Sequence, residues 1–360
     1  MRIITLSTHQ EKCGIATYND ALVAALRAQG HAADIHPIIT SVARTKSKAE
    51  LLSYFDDFLF AARSYDAVII QHEFGLIGGK YPASTAHRVM SRMLGRLTKA
   101  GKPVAIIFHS GPEAPKRLLS RKRYHWYRIC RLINSNRRIF GVVHGDPAAQ
   151  QYLDAGFRRD SIWVTRHPLP ATVALPPRPR DETVTLTIFG FVAAYKGYAE
   201  AVEALDQLPD NYRLVIAGGP HPTNTIDKTF ETISAMNHPR IELTGWLDDS
   251  DVPDIMARTD IVLAPYHENG PAGSGAVTWA LACGRPVVAT STFTFNDIQA
   301  EANCFAMVPP LDSNALAGKI AELAHDAPMR MELASRGLSY AARHSWSAMA
   351  TELARRFSEA

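Results

Sequence analysis

The sequence predicts an α/β protein of two domains, each an open parallel sheet covered by helices. Three observations carry this. Short β-rich apolar runs alternate with amphipathic stretches of helical period along most of the chain, the pattern of strands joined by helical crossovers. The 360 residues exceed one ordinary core and suit two domains of roughly 150–180 residues each. Between the halves lies HPLPATVALPPRPRD, residues 167–181, with five prolines in fifteen positions. Proline lacks an amide hydrogen and fixes φ, which bars this stretch from helix and central strand. Its composition is that of an extended linker. A long surface loop within one domain is the other reading, but the strand–helix alternation restarts directly after it.

In the first half the predicted strands are Ile3–Ser7, Ala33–Ile39, Ala67–Gln71, Val104–Phe108, Ile139–Val143 and Ile162–Thr165. Helices are expected over Tyr18–Gln29, stopped by Gly30, and over Ala86–Ala100. The second half reads strand Thr185–Phe189, helix Tyr198–Leu208, strands Arg213–Ala217 and Ile241–Thr244, and helix Val252–Ala257. Strand Ile261–Ala264, helix Ser274–Ala282 and strand Pro286–Ala289 follow. The division is a Rossmann-like domain over 1–168, a linker over 169–182, a second Rossmann-like domain over 183–342 and a final helix over 343–360. Open sheets of this kind bind ligands at the carboxyl ends of their strands, and two of them are expected to face a central cleft.

Composition narrows the function. The chain is 46% hydrophobic and 21% charged, as globular proteins are. A net charge of +4 is too small for a nucleic-acid binder. No apolar run approaches the roughly 18–20 residues that span a bilayer, and the apolar start of MRIITLSTHQ is too short for a signal-peptide core. Cys13, Cys130, Cys283 and Cys304 are scattered without metal-ligand spacing and read as reduced thiols of a cytoplasmic protein.

Two segments carry chemistry. In IVLAPYHENGPAGSGAVTWALACGRP, residues 261–286, a buried strand runs into a polar, glycine-rich loop and then a helix. The first amides of a helix lack partners and its dipole is positive there, so this arrangement suits an anion. Gly273 and Gly275 would let a phosphate approach the backbone. Ser274 either caps the helix or donates its hydroxyl to phosphate; an ordinary βα turn reads the same way. In IFGFVAAYKGYAEAVEAL, residues 188–205, Lys196 leaves the carboxyl end of the domain's first strand. A lysine there would neutralise a diphosphate leaving group, although lysines are commonly solvated.

These segments resemble the retaining glycosyltransferases of family 4, which have the GT-B fold. The family's Gly-Arg-Leu…Lys-Gly segment corresponds to Gly190-Phe191-Val192…Lys196-Gly197, with Phe191 in place of the arginine. Its Ala-Cys-Gly-x-Pro-Val-Val segment is matched by Ala282-Cys283-Gly284-Arg285-Pro286-Val287-Val288. The glutamate pair of many members is absent, Pro271 and Trp279 occupying those positions. Ser274-Gly275-Ala276-Val277-Thr278-Trp279-Ala280-Leu281 is similar to a variant branch. In the first half, Lys12–Tyr18 resembles the family's glycine loop, with Gly14 at its centre and a helix opening from about Thr17. His109, ending a strand, resembles the active-site histidine of many members. His72-Glu73-Phe74 closes the preceding strand and reads more readily as structural. Trp346 resembles the start of a last helix that crosses back onto the first domain.

The resemblance implies hexosyl transfer from a nucleotide-sugar to a saccharide or lipid-linked acceptor in surface polysaccharide synthesis. The implied catalytic residues are His109, Lys196 and Glu268. Donor contacts are implied for Gly14, Gly190, Lys196, Gly218, Trp246, His267, Ser274, Gly275 and Ala276. Glu268 or His267 would stand in for the missing glutamate near the donor sugar. Trp246 would stack on the base or simply pack. GDP-mannose is the favoured donor and a UDP-sugar the alternative; neither a metal nor another cofactor is expected. The basic, aromatic-interleaved stretch 116–138 suits an anionic membrane surface or a lipid-diphosphate acceptor, or else a solvated helix face. The expected location is the cytoplasm, with peripheral contact at the inner face of the membrane. A sugar-nucleotide 2-epimerase, a phosphorylase using pyridoxal phosphate, and a non-catalytic nucleotide-sugar-binding protein are the rival readings.

Overall fold

The computed structural model describes the chain except residues 12, 115–120, 176–182, 221–225 and 269–273 and the side chains of 121–123. The chain divides into two compact units. One comprises Met1–Arg166 with Trp346–Ala360, the other His167–Ser345.

The first unit is built on strands β1 (Arg2–Ser7), β2 (Ala32–Pro37), β3 (Ala67–His72), β4 (Val104–Phe108), β5 (Ile139–His144) and β6 (Ile162–Thr165). They form one parallel sheet in the order β2-β1-β3-β4-β5-β6. Side chains alternate faces along a strand. Ile4, Leu6, Val68, Ile70 and Ile106 therefore enter one apolar cluster, while Ile3, Ile69, Ala105 and Ile107 enter another. Burial on both faces explains why these strands read as continuous apolar runs. Met349, Ala350, Leu353 and Phe357 of the last helix, Trp346–Glu359, complete the second cluster.

The second unit contains β7 (Val184–Phe189), β8 (Tyr212–Ala217), β9 (Ile241–Leu243), β10 (Ile261–Ala264), β11 (Val287–Thr290) and β12 (Phe305–Val308). These form a parallel sheet in the order β12-β11-β10-β7-β8-β9. β12 has no counterpart among the predicted strands.

Some expected bounds move. The first helix is Gly14–Ala28 rather than starting near Thr17, because Ala16 is buried and Cys13, extended at φ −149°, is its N-cap. β2 stops at Pro37, and Ile39 precedes a further helix, Thr40–Thr45. The next long helix begins at Ala83, one turn before the expected Ala86. Of the proline-rich segment, Leu169 is fully buried and its N–H donates to His344 O at 2.8 Å, while Val173 N–H donates to Ala282 O at 2.9 Å. Residues 176–182 lie outside the described part. No helix among the described residues is long and apolar enough to cross a membrane.

Both sheets reverse direction of growth once. In the first sheet the chain places β2 on one side of β1 and β3 on the other. In the second, β8 lies on one side of β7 and β10 on the other. Open α/β sheets present their ligand crevices at such switch points, outside the strand carboxyl ends.

Candidate functional site

In the second unit the switch point is the exit of β7 and β10. β7 ends at Phe189, and Gly190 turns the chain at φ 92°. A Cβ on Gly190 would lie 2.9 Å from Lys196 Nζ and 3.3 Å from the Ala276 Cβ, so these three residues share one spot. A Cβ on Gly218, at the exit of β8, would lie 2.2 Å from Gly190 O. A single 3₁₀ turn, Ala194–Lys196, then leads through Gly197 into the helix Tyr198–Asp206.

That turn draws Lys196 inward. The side chain is 5% exposed, its Nζ donates to Phe189 O at 3.2 Å, and it lies 5.8 Å from the centroid of the Tyr266 ring. Among the described residues no carboxylate pairs with it. Burial pulls its pKa from 10.5 to about 7. A solvated surface lysine is thereby ruled out.

β10 exits through Pro265 and Tyr266. The Tyr266 hydroxyl lies 2.8 Å from Ser274 Oγ, and burial pushes the phenol's pKa well up. Ser274 Oγ accepts from Val277 N–H at 3.3 Å and so caps the helix Gly275–Ala282. Gly275 is exposed, and a Cβ there would meet nothing within 4 Å. Gly273 and Pro271, in the preceding loop, lie outside the described residues. Trp279, on the same helix, packs against the core.

His267 N–H donates to Tyr195 O at 2.7 Å, and its Nε2 donates to the Glu200 carboxylate at 3.1 Å. The β10 exit is thus tied to the lysine turn. Glu268, one residue on, is exposed. Trp246 is 42% exposed and stands edge-on to Phe191, with ring centroids 5.1 Å apart. Its indole occupies the space a side chain on Gly219 would fill.

In the first unit, His109 follows β4. Its Nε2 lies 2.7 Å from Gln71 Oε1, and the Tyr18 ring meets it edge-on at 4.9 Å. The His109 ring is thus joined to a side chain of the neighbouring strand. The Tyr18 hydroxyl lies 3.0 Å from His144 Nε2. Gly14 is exposed, and a Cβ there would meet nothing within 4 Å. His72 is buried between Phe74 and Phe108, and Glu73 caps the helix Phe74–Gly78 through Leu76 N–H at 3.1 Å. Both are structural.

The basic stretch forms the helix Arg121–Asn134. Trp126 is core, its indole donating to Ala155 O at 2.8 Å, whereas Tyr124, Tyr127 and Arg131 are exposed. Residues 115–120 and the side chains of 121–123 lie outside the described part.

The second unit therefore brings together Gly190, Lys196, Gly218, His267, Ser274 and Ala276, with Trp246 beside Phe191. Glu268 is not drawn in. Sequence reasoning missed Tyr195, Glu200 and Tyr266, and in the first unit Asn19 and Gln71. Gln71 had a signal, an amide inside the apolar strand AVIIQH; Glu200 had none, since an acid on a helix is ordinary. Chemically, the second-unit arrangement offers a buried cation and a capped helix start to an anion.

Residues 183–326 match the profile of the family described as Glycosyl transferases group 1. No curated protein matches the chain in sequence. Among solved structures, HepE of Anabaena in complex with UDP and glucose is 15% identical, with 100% of both chains covered and a TM-score of 0.72. A glycosyltransferase from Rickettsia africae is 15% identical over 99% of this chain and 98% of its own, with a TM-score of 0.73. Sucrose-phosphate synthase from Thermosynechococcus elongatus is 17% identical over 100% and 98%, with a TM-score of 0.70. The chain thus has the GT-B fold of glycosyltransferases, and its second unit carries the segment that matches the group 1 glycosyl transferase family.

Proposed function

We propose that this protein is a retaining glycosyltransferase that moves a hexose from a nucleoside-diphosphate sugar to a saccharide or lipid-linked acceptor. The observation that carries the reading is Lys196. It is a buried lysine with no carboxylate partner among the described residues, at the switch point of the sheet and inside the segment that matches the family. A cation left unpaired in a low dielectric favours an incoming anion.

In the proposed reaction the bond between the anomeric carbon and the diphosphate oxygen breaks. The acceptor oxygen bonds to the same face of that carbon, and its proton passes to the departing phosphate oxygen. Lys196 and the amides at Ser274–Ala276 stabilise the leaving diphosphate. Gly190, whose missing side chain makes space for Lys196 Nζ, and Gly218, which lets the β8 exit close on Gly190 O, shape the site that receives it. His267, held by Glu200, and the exposed Glu268 are the donor-sugar contacts, and Trp246 is the base contact. His109 and the loop at Gly14 are the first unit's contribution to alignment. No step calls on a metal or other cofactor.

GDP-mannose remains our first donor, on the Gly-Phe…Tyr-Lys-Gly pattern; the UDP-glucose complex of HepE makes a UDP-sugar the second. The exposed Tyr124, Tyr127 and Arg131 make the helix Arg121–Asn134 the contact for an anionic lipid surface on the cytoplasmic side, which sedimentation with phosphatidylglycerol vesicles tests.

Thermal-shift screening with GDP, UDP and ADP tests donor binding. A nucleotide at 100 times its dissociation constant stabilises by roughly 2.7 kcal/mol. Release of free sugar or transfer to an acceptor, followed directly, tests the activity. Interconversion of the donor without an acceptor would identify a 2-epimerase instead, and binding without turnover a non-catalytic protein.

A further inference from the structure

His109 is joined to a buried chain of polar side chains. Its Nε2 lies 2.7 Å from Gln71 Oε1; Gln71 Nε2 donates to Asn19 Oδ1 at 3.0 Å; Asn19 Nδ2 donates to Thr5 Oγ1 at 3.1 Å. Gln71, Asn19 and Thr5 are each 0% exposed. They come from β3, the helix Gly14–Ala28 and β1, so the chain crosses three elements of the first unit.

A primary amide donates from one branch and accepts at the other, so a row of amides has a direction. Asn19 commits its amino group to Thr5 and presents its oxygen to Gln71. Gln71 commits its amino group to that oxygen and presents its own oxygen to His109. An amide oxygen only accepts, so the proton between Gln71 and His109 belongs to the ring. We infer that the Thr5–Asn19–Gln71 relay holds neutral His109 in the tautomer protonated at Nε2, with the lone pair on Nδ1. Gln71 and Asn19 are then positioning residues for His109. Tyr18 completes the support: its ring stands at 82° to the imidazole, and its hydroxyl donates to Met349 Sδ at 3.2 Å. The ring plane is set by Tyr18 and the proton by Gln71, so the histidine needs no reorganisation when it acts.

The tautomer is a property of the protein alone; its effect on rate rests on the transferase reading above. The ¹⁵N chemical shifts of the His109 ring, assigned against His109→Asn, report the tautomer in the full chain at alkaline pH, where histidine is neutral. The wild type is expected to show protonation at Nε2. Protonation at Nδ1, or a rapid mixture, would mean the relay runs the other way or does not hold, and overturns the inference without any variant. Gln71→Leu and Asn19→Leu are expected to give a mixture. Asn19→Asp, an acceptor toward Gln71, is expected to keep Nε2–H. An unchanged tautomer in folded Gln71→Leu also overturns it. In transfer assays Gln71→Leu should lower kcat on the order of 10- to 100-fold and leave the donor KM within about twofold. An Nε2–H wild type that transfers no sugar sinks the activity reading and leaves this one standing.

Discussion

Lys196 sits where a lysine is least comfortable, buried and without a counter-charge among the described residues. Its ammonium is disfavoured until an anion arrives, and two outcomes follow. In the free protein, the unfolded chain binds the extra proton between pH 7 and 10.5, so stability rises with pH through that window. Lys196→Met should remove this dependence and raise Tm at pH 7 by several degrees in a denaturation scan. Affinity for a nucleotide-sugar has the opposite slope. The diphosphate selects the charged lysine, so binding should weaken above pH 7, by up to about tenfold per pH unit. Titration calorimetry at pH 6.5 and 9 checks this; in Lys196→Met both the dependence and most of the affinity should be lost. The buried histidines of the first unit make a third case. Burial lowers His72 to about 3 and His87 to about 4 from 6.5. The unfolded chain therefore takes up protons first, and the stability present above pH 6.5 is lost as pH falls. His87 alone should cost on the order of 2 kcal/mol between pH 6.5 and 5. His87→Met, packed between Phe74 and Trp126, should flatten the acid limb of a Tm-against-pH series.

At the scale of elements, the site depends on how β7 hands over to its helix. Gly197 has φ 73°, and a Cβ there would lie 2.0 Å from Pro265 O at the exit of β10. The neighbour is backbone and has nowhere to go. Gly197→Ala should cost about 3 kcal/mol or more, measured by urea denaturation, and should lower nucleotide affinity because Lys196 moves with the turn. This glycine was legible as part of Lys196-Gly197, but its reason was not. The clash is with a residue 68 positions on, a pairing that exists only once β10 lies beside β7. Ser274 is the converse case. Its role as a cap was legible from a small polar residue before an apolar helical run. The Tyr266 hydroxyl that also holds it was not, since Tyr266 reads as one more core aromatic.

At the scale of the whole molecule, the last fifteen residues fold with the first unit rather than the one that precedes them. Met349, Ala350, Leu353 and Phe357 are buried among Ile3, Tyr18, Leu22 and Phe140. Ending the chain at Ser345 should cost the first unit on the order of 5 kcal/mol and abolish its cooperative melting transition, read by calorimetry. By itself the sequence determined the α/β class, eleven of the twelve strands within a residue or two, and the glycine–lysine and Ser274 segments. These are local quantities: apolar runs, proline and glycine punctuation, and helix-start chemistry act between near neighbours. What only the tertiary structure decided was which polar groups are buried and whom they meet. The burial of Lys196, the tie from His267 to Glu200, the seating of Trp246 on Phe191 and the Thr5–Asn19–Gln71–His109 relay join residues from separate strands and helices. Parallel sheets bring such residues together only through long crossovers, so desolvation and hydrogen-bond direction are set by strand order, which no local pattern encodes.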